Sequence, residues 1–284
     1  MIGKTRQRAG VVETFDEAAG KPRGVLRGPA AAGKFRHGRH SAAPDLMHVI
    51  DHYWTVSWDL RGEEPHTVET LPHPNFHLVF EKAHSTVNGV FTGKFIRRLE
   101  WQGQVFGIKF NPGAFRPLMH APASSLANRS VPAGDFFDKR EAVALETVLV
   151  SEAEDALKIG TAEMFLRDHV SGPDAAVASA TQLVRLIHAE PGIRTVDDLA
   201  GRAGLGVRAL QRLFREYVGA SPKWVIRRYR LHEVVEQLNN GAPLDFASLA
   251  QDLGYFDQAH LIHDFRTMAG YTPGQYSKRV AEQS

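Results

Sequence analysis

A chain of 284 residues with 43% hydrophobic and 23% charged positions has the composition of a globular protein, and it is long enough for two domains that each bury a core. The absence of cysteine excludes disulfides, thiolate-ligated zinc, iron–sulfur clusters and thiol nucleophiles. No apolar run is long enough to cross a bilayer, and the start MIGKTRQRAG lacks the apolar stretch of a secretion signal; the expectation is an unexported, cytoplasmic protein with no membrane partner.

Residues 1–40 are basic and rich in Gly and Ala without sustained periodicity, and read as a loosely ordered arm. From Asp45 the text turns aromatic and β-branched. LMHVIDHYWTVSWDL begins with helical spacing and passes into a strand, and NFHLVFEKA, STVNGVFTGKFIRRLEWQ and QVFGIKF read as short strands broken by Gly and Asn-Gly turns. NPGAFRPLM is a turn opening a helix, and 141–169 is helical. The small, weakly polar stretch SGPDAAVASA, 171–180, marks a boundary between a domain at 41–170 and another at 181–280. The expected class is α+β: antiparallel strands plus helices, followed by an all-α domain.

That second domain contains an internal repeat. LAGRAGLGVRALQRLFREYVGASP starts at Leu199 and LAQDLGYFDQAHLIHDFRTMAGYTP at Leu249. Leu199/Leu249 and Gly204/Gly254 are 50 apart, whereas Leu210/Leu261, Phe214/Phe265, Gly219/Gly270 and Pro222/Pro273 are 51 apart, as one extra turn residue requires. Each copy parses as helix, Gly-containing tight turn, second helix and a Pro-marked stop, which is the helix-turn-helix pattern. Thr195 with Asp198 predicts a capped first helix that Gly204 ends. In the second helix Val207, Leu210, Leu213, Phe214 and Tyr217 form the buried stripe, leaving Arg208, Gln211, Arg212 and Arg215 on the other side. Between the copies a helix capped by Ser221, begun by Pro222 and stopped at Gly241 forms a strut of about 25 Å, suited to hold two helices near the roughly 34 Å spacing of successive major grooves.

Charge follows the same division. From Arg202 to Arg230 eight basic residues stand against one acid, Glu216, whereas from Leu231 to Arg266 six acids stand against one Arg. A basic half of this kind suits a polyanion, although Arg227, Arg228 and Arg230 also fit plain helix-surface charge.

The two copies and the strut ending in RRYRLHEVVEQL resemble the AraC/XylS family of bacterial transcription regulators over about 185–279. The resemblance implies two helix-turn-helix units on one chain, bound to adjacent major-groove segments of operator or promoter DNA in a nucleoid-associated protein. It assigns base contacts to Arg208, Gln211, Arg212, Gln258, Ala259, His260 and His263, and phosphate contacts to Arg215, Lys223, Arg227 and Arg266. Arg suits guanine and Gln suits adenine. Gly206 stands where the family usually has a capping Ser, and His263 where Arg is common. The segments HYWTVSWDL, LPHPNFHLVFE, VFGIKFNPGAF and SLANRSVPAGDFF resemble an uncharacterised α+β domain that precedes the DNA-binding part in one branch of these regulators. That implies a sensing or dimerising module, with a small-molecule effector, a second copy of the chain and RNA polymerase as further partners.

The competing class is a metal-dependent enzyme built on the N-terminal domain, with the helical part as an accessory. It rests on His73, His77 and Glu81, evenly spaced so that a strand would put all three on one side; buried or loop histidines are the plainer reading of them. A protein-binding scaffold is a third class. Tyr53, Trp54, Trp58 and Trp101 fit either a ligand wall or plain core. No Gly-x-Ser-x-Gly elbow or phosphate-binding Gly loop is present, and no catalytic residue, metal or cofactor is assigned.

Overall fold

The computed structural model describes residues 4–8, 11–15, 24–26, 34–239 and 245–282. Its N-terminal half carries strands β1 (Lys4–Arg8), β2 (Val11–Phe15), β3 (Val25–Leu26), β4 (Phe35–His40), β5 (Ile50–Asp59), β6 (His66–Thr70), β7 (His77–Phe80), β8 (Thr86–Asn88), β9 (Phe95–Leu99), β10 (Gln102–Phe110) and β11 (Ser130–Pro132). They form a large sheet in the order β1-β2-β4-β5-β10-β7-β8-β11 and a small one, β3-β6-β9. Every pairing is antiparallel except β2 with β4. The expected arm over 1–40 therefore contributes strands among its described residues, and Phe35–His40 belongs to the sheet beside β5.

Alternation along β5 and β10 decides which side is core. Tyr53 faces Ile108 and Ile108 faces Leu78, while Phe106 faces Phe80; all five are buried, against helices α1 (Lys139–Leu149) and α2 (Asp155–His169). The opposite side carries Trp54, Val56 and Trp58 and is covered by Val68 and Leu99 of the small sheet. Here Gly107 is required, because a Cβ would fall inside the Trp54 indole. The four aromatics of the sequence reading do not converge: Tyr53 lies on one side, Trp54 and Trp58 on the other, and Trp101 is exposed.

The remaining helices are α3 (Ala175–Ala189), α4 (Val196–Ala203), α5 (Val207–Leu213), α6 (Pro222–Asn239), α7 (Phe246–Asp252), α8 (Gln258–Ala269) and α9 (Pro273–Ala281). The expected linker over 171–180 is shorter, since α3 starts at Ala175 under an Asp174 cap and buries Val177 and Ala180. Nor does the core divide there. One apolar cluster runs from the sheet through α3 into Leu199, Leu210 and Phe214, and a second joins α6 to α9 with Leu26 and Leu71. No helix among the described residues is long and apolar enough to cross a membrane.

A polar row crosses the covered side of the large sheet, where His52 and His77 both lie opposite Lys109. The Lys109 ammonium stands 2.9 Å from the Asp51 carboxylate, and Trp54 Nε1 donates to His77 Nδ1 at 3.3 Å. Burial would raise the Asp51 carboxyl, but Lys109 holds it well below the usual range. Burial also pushes His37 and His52 down to about 4, and His77 and His232 down to about 3. These imidazoles are neutral when folded but take up protons near pH 6.5 when unfolded. Stability should therefore be full above about pH 6.5 and decline as pH falls from there towards about 3. Urea titrations at about pH 7.5 and pH 5 test this, with a lower midpoint expected at pH 5 and a smaller drop in His232→Phe. An unchanged wild-type midpoint would refute it.

Candidate nucleic-acid interface

Each helix-turn-helix unit is defined by its own caps. Thr195 Oγ1 accepts from the Asp198 amide at 3.0 Å, while the Asp198 carboxylate accepts from the Thr195 amide at 2.8 Å. Gly204 closes α4 with φ at 63°. α5 follows, continued by a π-helical turn over Phe214–Val218 that ends at Gly219, φ 87°. Leu210, Phe214 and Val218 are buried, and Arg208, Gln211, Arg212 and Arg215 are exposed together on the other side. Gly206 offers no side chain to cap α5.

The second unit repeats this, with a side-chain cap on its second helix that α5 lacks. Asp245 caps α7, and Asp257 caps α8 by accepting from the His260 amide at 2.8 Å. Gln258, Ala259, His260, His263 and Arg266 are exposed, while Leu261, Phe265 and Met268 are buried. Because the N-caps Gly206 and Asp257 coincide at the 51-residue offset, Arg208, Arg212 and Arg215 correspond to Ala259, His263 and Arg266, and Gln211 corresponds to half-buried Ile262.

The strut α6 is capped by Ser221, whose Oγ accepts from the Trp224 amide at 3.2 Å; its expected stop at Gly241 lies outside the described residues. Its charges behave differently from the expectation. Lys223 is exposed, but Arg227 is half-buried and gripped by Asp264, with Nε donating at 2.7 Å and Nη2 to the other oxygen. The Asp264 side chain is 3% exposed. Arg228 is fully buried and donates to the Thr92 carbonyl at 2.7 Å; burial lowers its guanidinium to about 10. Arg230 donates to the Arg194 carbonyl. These three arginines are internal ties, so surface charge does not describe them, and the Arg227 guanidinium is engaged by Asp264. The sequence held a signal for the pair: Asp264 stands where the first copy has Leu213, and a carboxylate at a core position needs a buried cation.

A groove of about 570 Å³ lies between the units, lined by Lys223, Arg227 and Arg230 of the strut, His260 and His263 of α8, and Arg194 beside α4. Arg194, which the sequence reading passed over, also joins the units by donating Nη2 to the Asp252 carbonyl at 3.2 Å. The N-terminal half is seated against this assembly. Arg116 pairs with Glu216 at 2.5 Å, Trp224 Nε1 donates to the Thr92 carbonyl at 3.0 Å, and Glu69 accepts from Tyr271 at 2.7 Å and from Lys94 at 2.7 Å.

The residues proposed for metal are taken apart. Glu81 pairs with Arg97, His77 accepts from Trp54, and His73 stacks edge-on against His232 with ring centres 4.3 Å apart. Glu81 falls past the end of β7 and His73 before its start, so strand periodicity cannot align them. Among the described residues no group of three His, Cys, Asp or Glu side chains is placed to hold a metal ion.

Comparison with known proteins agrees with this geometry. Residues 199–279 match a family described as a helix-turn-helix domain, and residues 38–132 match a domain of unknown function, DUF6597. A Streptomyces antibioticus protein named as an AraC-like transcription regulator is 34% identical over 118 residues, 39% of this chain and 37% of that protein. The chain carries an AraC-type helix-turn-helix domain. The Escherichia coli K12 activator RclR is 30% identical over 88 residues, 31% of each chain, so this chain spans about a third of the length of the curated relatives it matches. Among solved structures, a Chromobacterium violaceum regulator with an AraC-type domain covers 38% of this chain and 96% of its own, with 23% identity and a TM-score of 0.34. Vibrio cholerae ToxT covers 76% and 94%, with 10% identity and a TM-score of 0.41.

Within the AraC-type domain the Arg227–Asp264 pair has a measurable consequence. Arg227→Ala leaves a buried carboxylate unpaired and should cost about 3–5 kcal/mol. Arg227→Leu combined with Asp264→Leu should recover most of that, since Leu213 occupies the equivalent place in the first unit. Urea unfolding of the full chain reads both; an Arg227→Ala midpoint equal to wild type would show that the pair contributes nothing.

Proposed function

We propose that the protein is a sequence-specific DNA-binding transcription regulator that reads adjacent major-groove segments with α5 and α8. The observation that carries this reading is the repeated register: two independently capped units in which the second helix buries one stripe and exposes a donor-rich side. Arg208, Gln211 and Arg212 in the first unit, and Gln258, Ala259, His260 and His263 in the second, are the proposed base contacts. Each good bidentate contact would give about 1–3 kcal/mol of discrimination. Arg215, Lys223 and Arg266 are the proposed phosphate contacts, and Arg227 acts by holding α8 to the strut.

The first unit supplies most of the affinity in this reading. Arg208, Arg212 and Arg215, together with Lys223, stand on an exposed surface, whereas the second unit carries Asp252 and Asp257 beside a single Arg266. The N-terminal half biases binding through its seat on α6 and Tyr271, under the control of an effector or of a second copy of the chain.

Footprinting the full-length protein on the DNA upstream of its own gene should give two protected patches about one helical turn apart. If about four phosphates are neutralised, log K should fall with log salt at a slope of about −3.6. Arg212→Ala should cost about 1–3 kcal/mol and relax preference at one base pair, whereas Lys223→Ala should weaken all sequences alike. A sequence-independent footprint would overturn specific readout.

A further inference from the structure

Phe256 is 92% exposed, and it sits immediately before Asp257, the N-cap of α8. An apolar residue in that place ordinarily folds back onto the fourth residue of the helix as a hydrophobic staple. Here that residue, Leu261, is fully buried, but the Phe256 ring stands in solvent and takes no part in the core. Its neighbour Tyr255 is buried in that core, so the backbone alternates, sending one ring inward and the next outward. The first unit repeats the arrangement: Leu205 precedes the N-cap Gly206 and is 40% exposed.

Two further observations fix what the ring would meet. The N-terminal end of a reading helix is the part that approaches base edges. Beside Phe256 at that end are Gln258, which suits adenine, and exposed Ala259, which is apolar. Phe and Ala side chains contact the 5-methyl of thymine, the apolar mark on the major-groove edge of an A·T pair. The second unit is also poor in cations, so it needs contacts other than phosphate neutralisation.

We propose that Phe256 is a specificity-determining residue that reads a thymine 5-methyl group, with Ala259 beside it, and that the second unit selects an A·T-containing half-site. This rests on the DNA-binding reading above. The test uses the full-length chain and a random duplex pool to obtain its preferred site, in which each thymine is then replaced singly by deoxyuridine, which lacks only the methyl. Wild type should lose about fourfold in affinity at one or two positions of the second half-site, the worth of one buried methyl. Phe256→Ala should bind the thymine and deoxyuridine forms equally, and Arg212→Ala, folded alike but altered in the first unit, should keep the discrimination. An enriched site with no deoxyuridine-sensitive position overturns the contact alone. Full discrimination by Phe256→Ala also overturns it, and assigns the exposed ring to a protein partner. A pool that yields no enriched sequence overturns the DNA-binding reading and the contact with it.

Discussion

α6 is enclosed on nearly every side, with Val225, Ile226, Leu231, Val234, Val235 and Leu238 all buried, and a helix so placed cannot leave its guanidinium groups to water. Each arginine must find acceptors within the protein. Arg227 finds Asp264 in the second unit, Arg230 finds the Arg194 carbonyl at the entrance of the first, and Arg228 finds Thr92 and Gly93 in the N-terminal half. Three arginines within four successive residues thus tie three bodies to one rod. Apolar side chains could hold the same bodies together, but they slide; a bidentate pair has one geometry. Buried ion pairs contribute little net stability, and register is the use for which they are best attested. On this chain the register concerned is the angle between α8 and the strut.

The same rod gives the proposed control by the N-terminal half a physical path. The Thr92 carbonyl takes hydrogen bonds from both Trp224 and Arg228, and neighbouring Lys94 shares Glu69 with Tyr271 at the turn after α8. A single loop therefore touches the strut and the second unit at once. A ligand of the N-terminal half would alter DNA affinity only in so far as it favoured one arrangement of this seat over another. The first unit shares the sheet's apolar core, and the second joins the N-terminal half through Leu26, Leu71 and Glu69.

The helical half was largely legible in the sequence because its signals are local. Thr195 with Asp198, Gly204, Gly219, Asp257 and Gly270 each determine a helix end within a few residues, and the repeated offset fixed both units together. What failed were inferences that require knowing a third element. Arg227 and Arg228 look like surface charge until the bodies against α6 are known. His73, His77 and Glu81 look aligned only if one strand holds all of them, and β7 is too short. A run of small residues over 171–180 reads as a linker, whereas the linker ends at Asp174 and Ala180 is small in order to pack closely against Gly113. Residues 1–40 lack periodicity, yet Phe35–His40 is ordered as a strand by pairing with β2 on one side and β5 on the other.

The two units are unequal copies, and the inequality follows one substitution. Where the first unit has Leu213 the second has Asp264, and an acid there obliges the strut to supply Arg227. That engages a cation beside α8 in an internal pair. The second unit is thereby deprived of electrostatic affinity twice, by its own acids and by the arginine it captures. In the proposed reading its base contacts are directional and apolar: an amide at Gln258, imidazoles at His260 and His263, and the bare surfaces of Ala259 and Phe256. Such contacts depend on placement far more than charge does, since dispersion and hydrogen bonding fail within an ångström of misalignment whereas Coulomb attraction does not. A unit that reads in this way needs its helix held at a fixed angle, and the pair that weakens its attraction for phosphate is the one that fixes the angle.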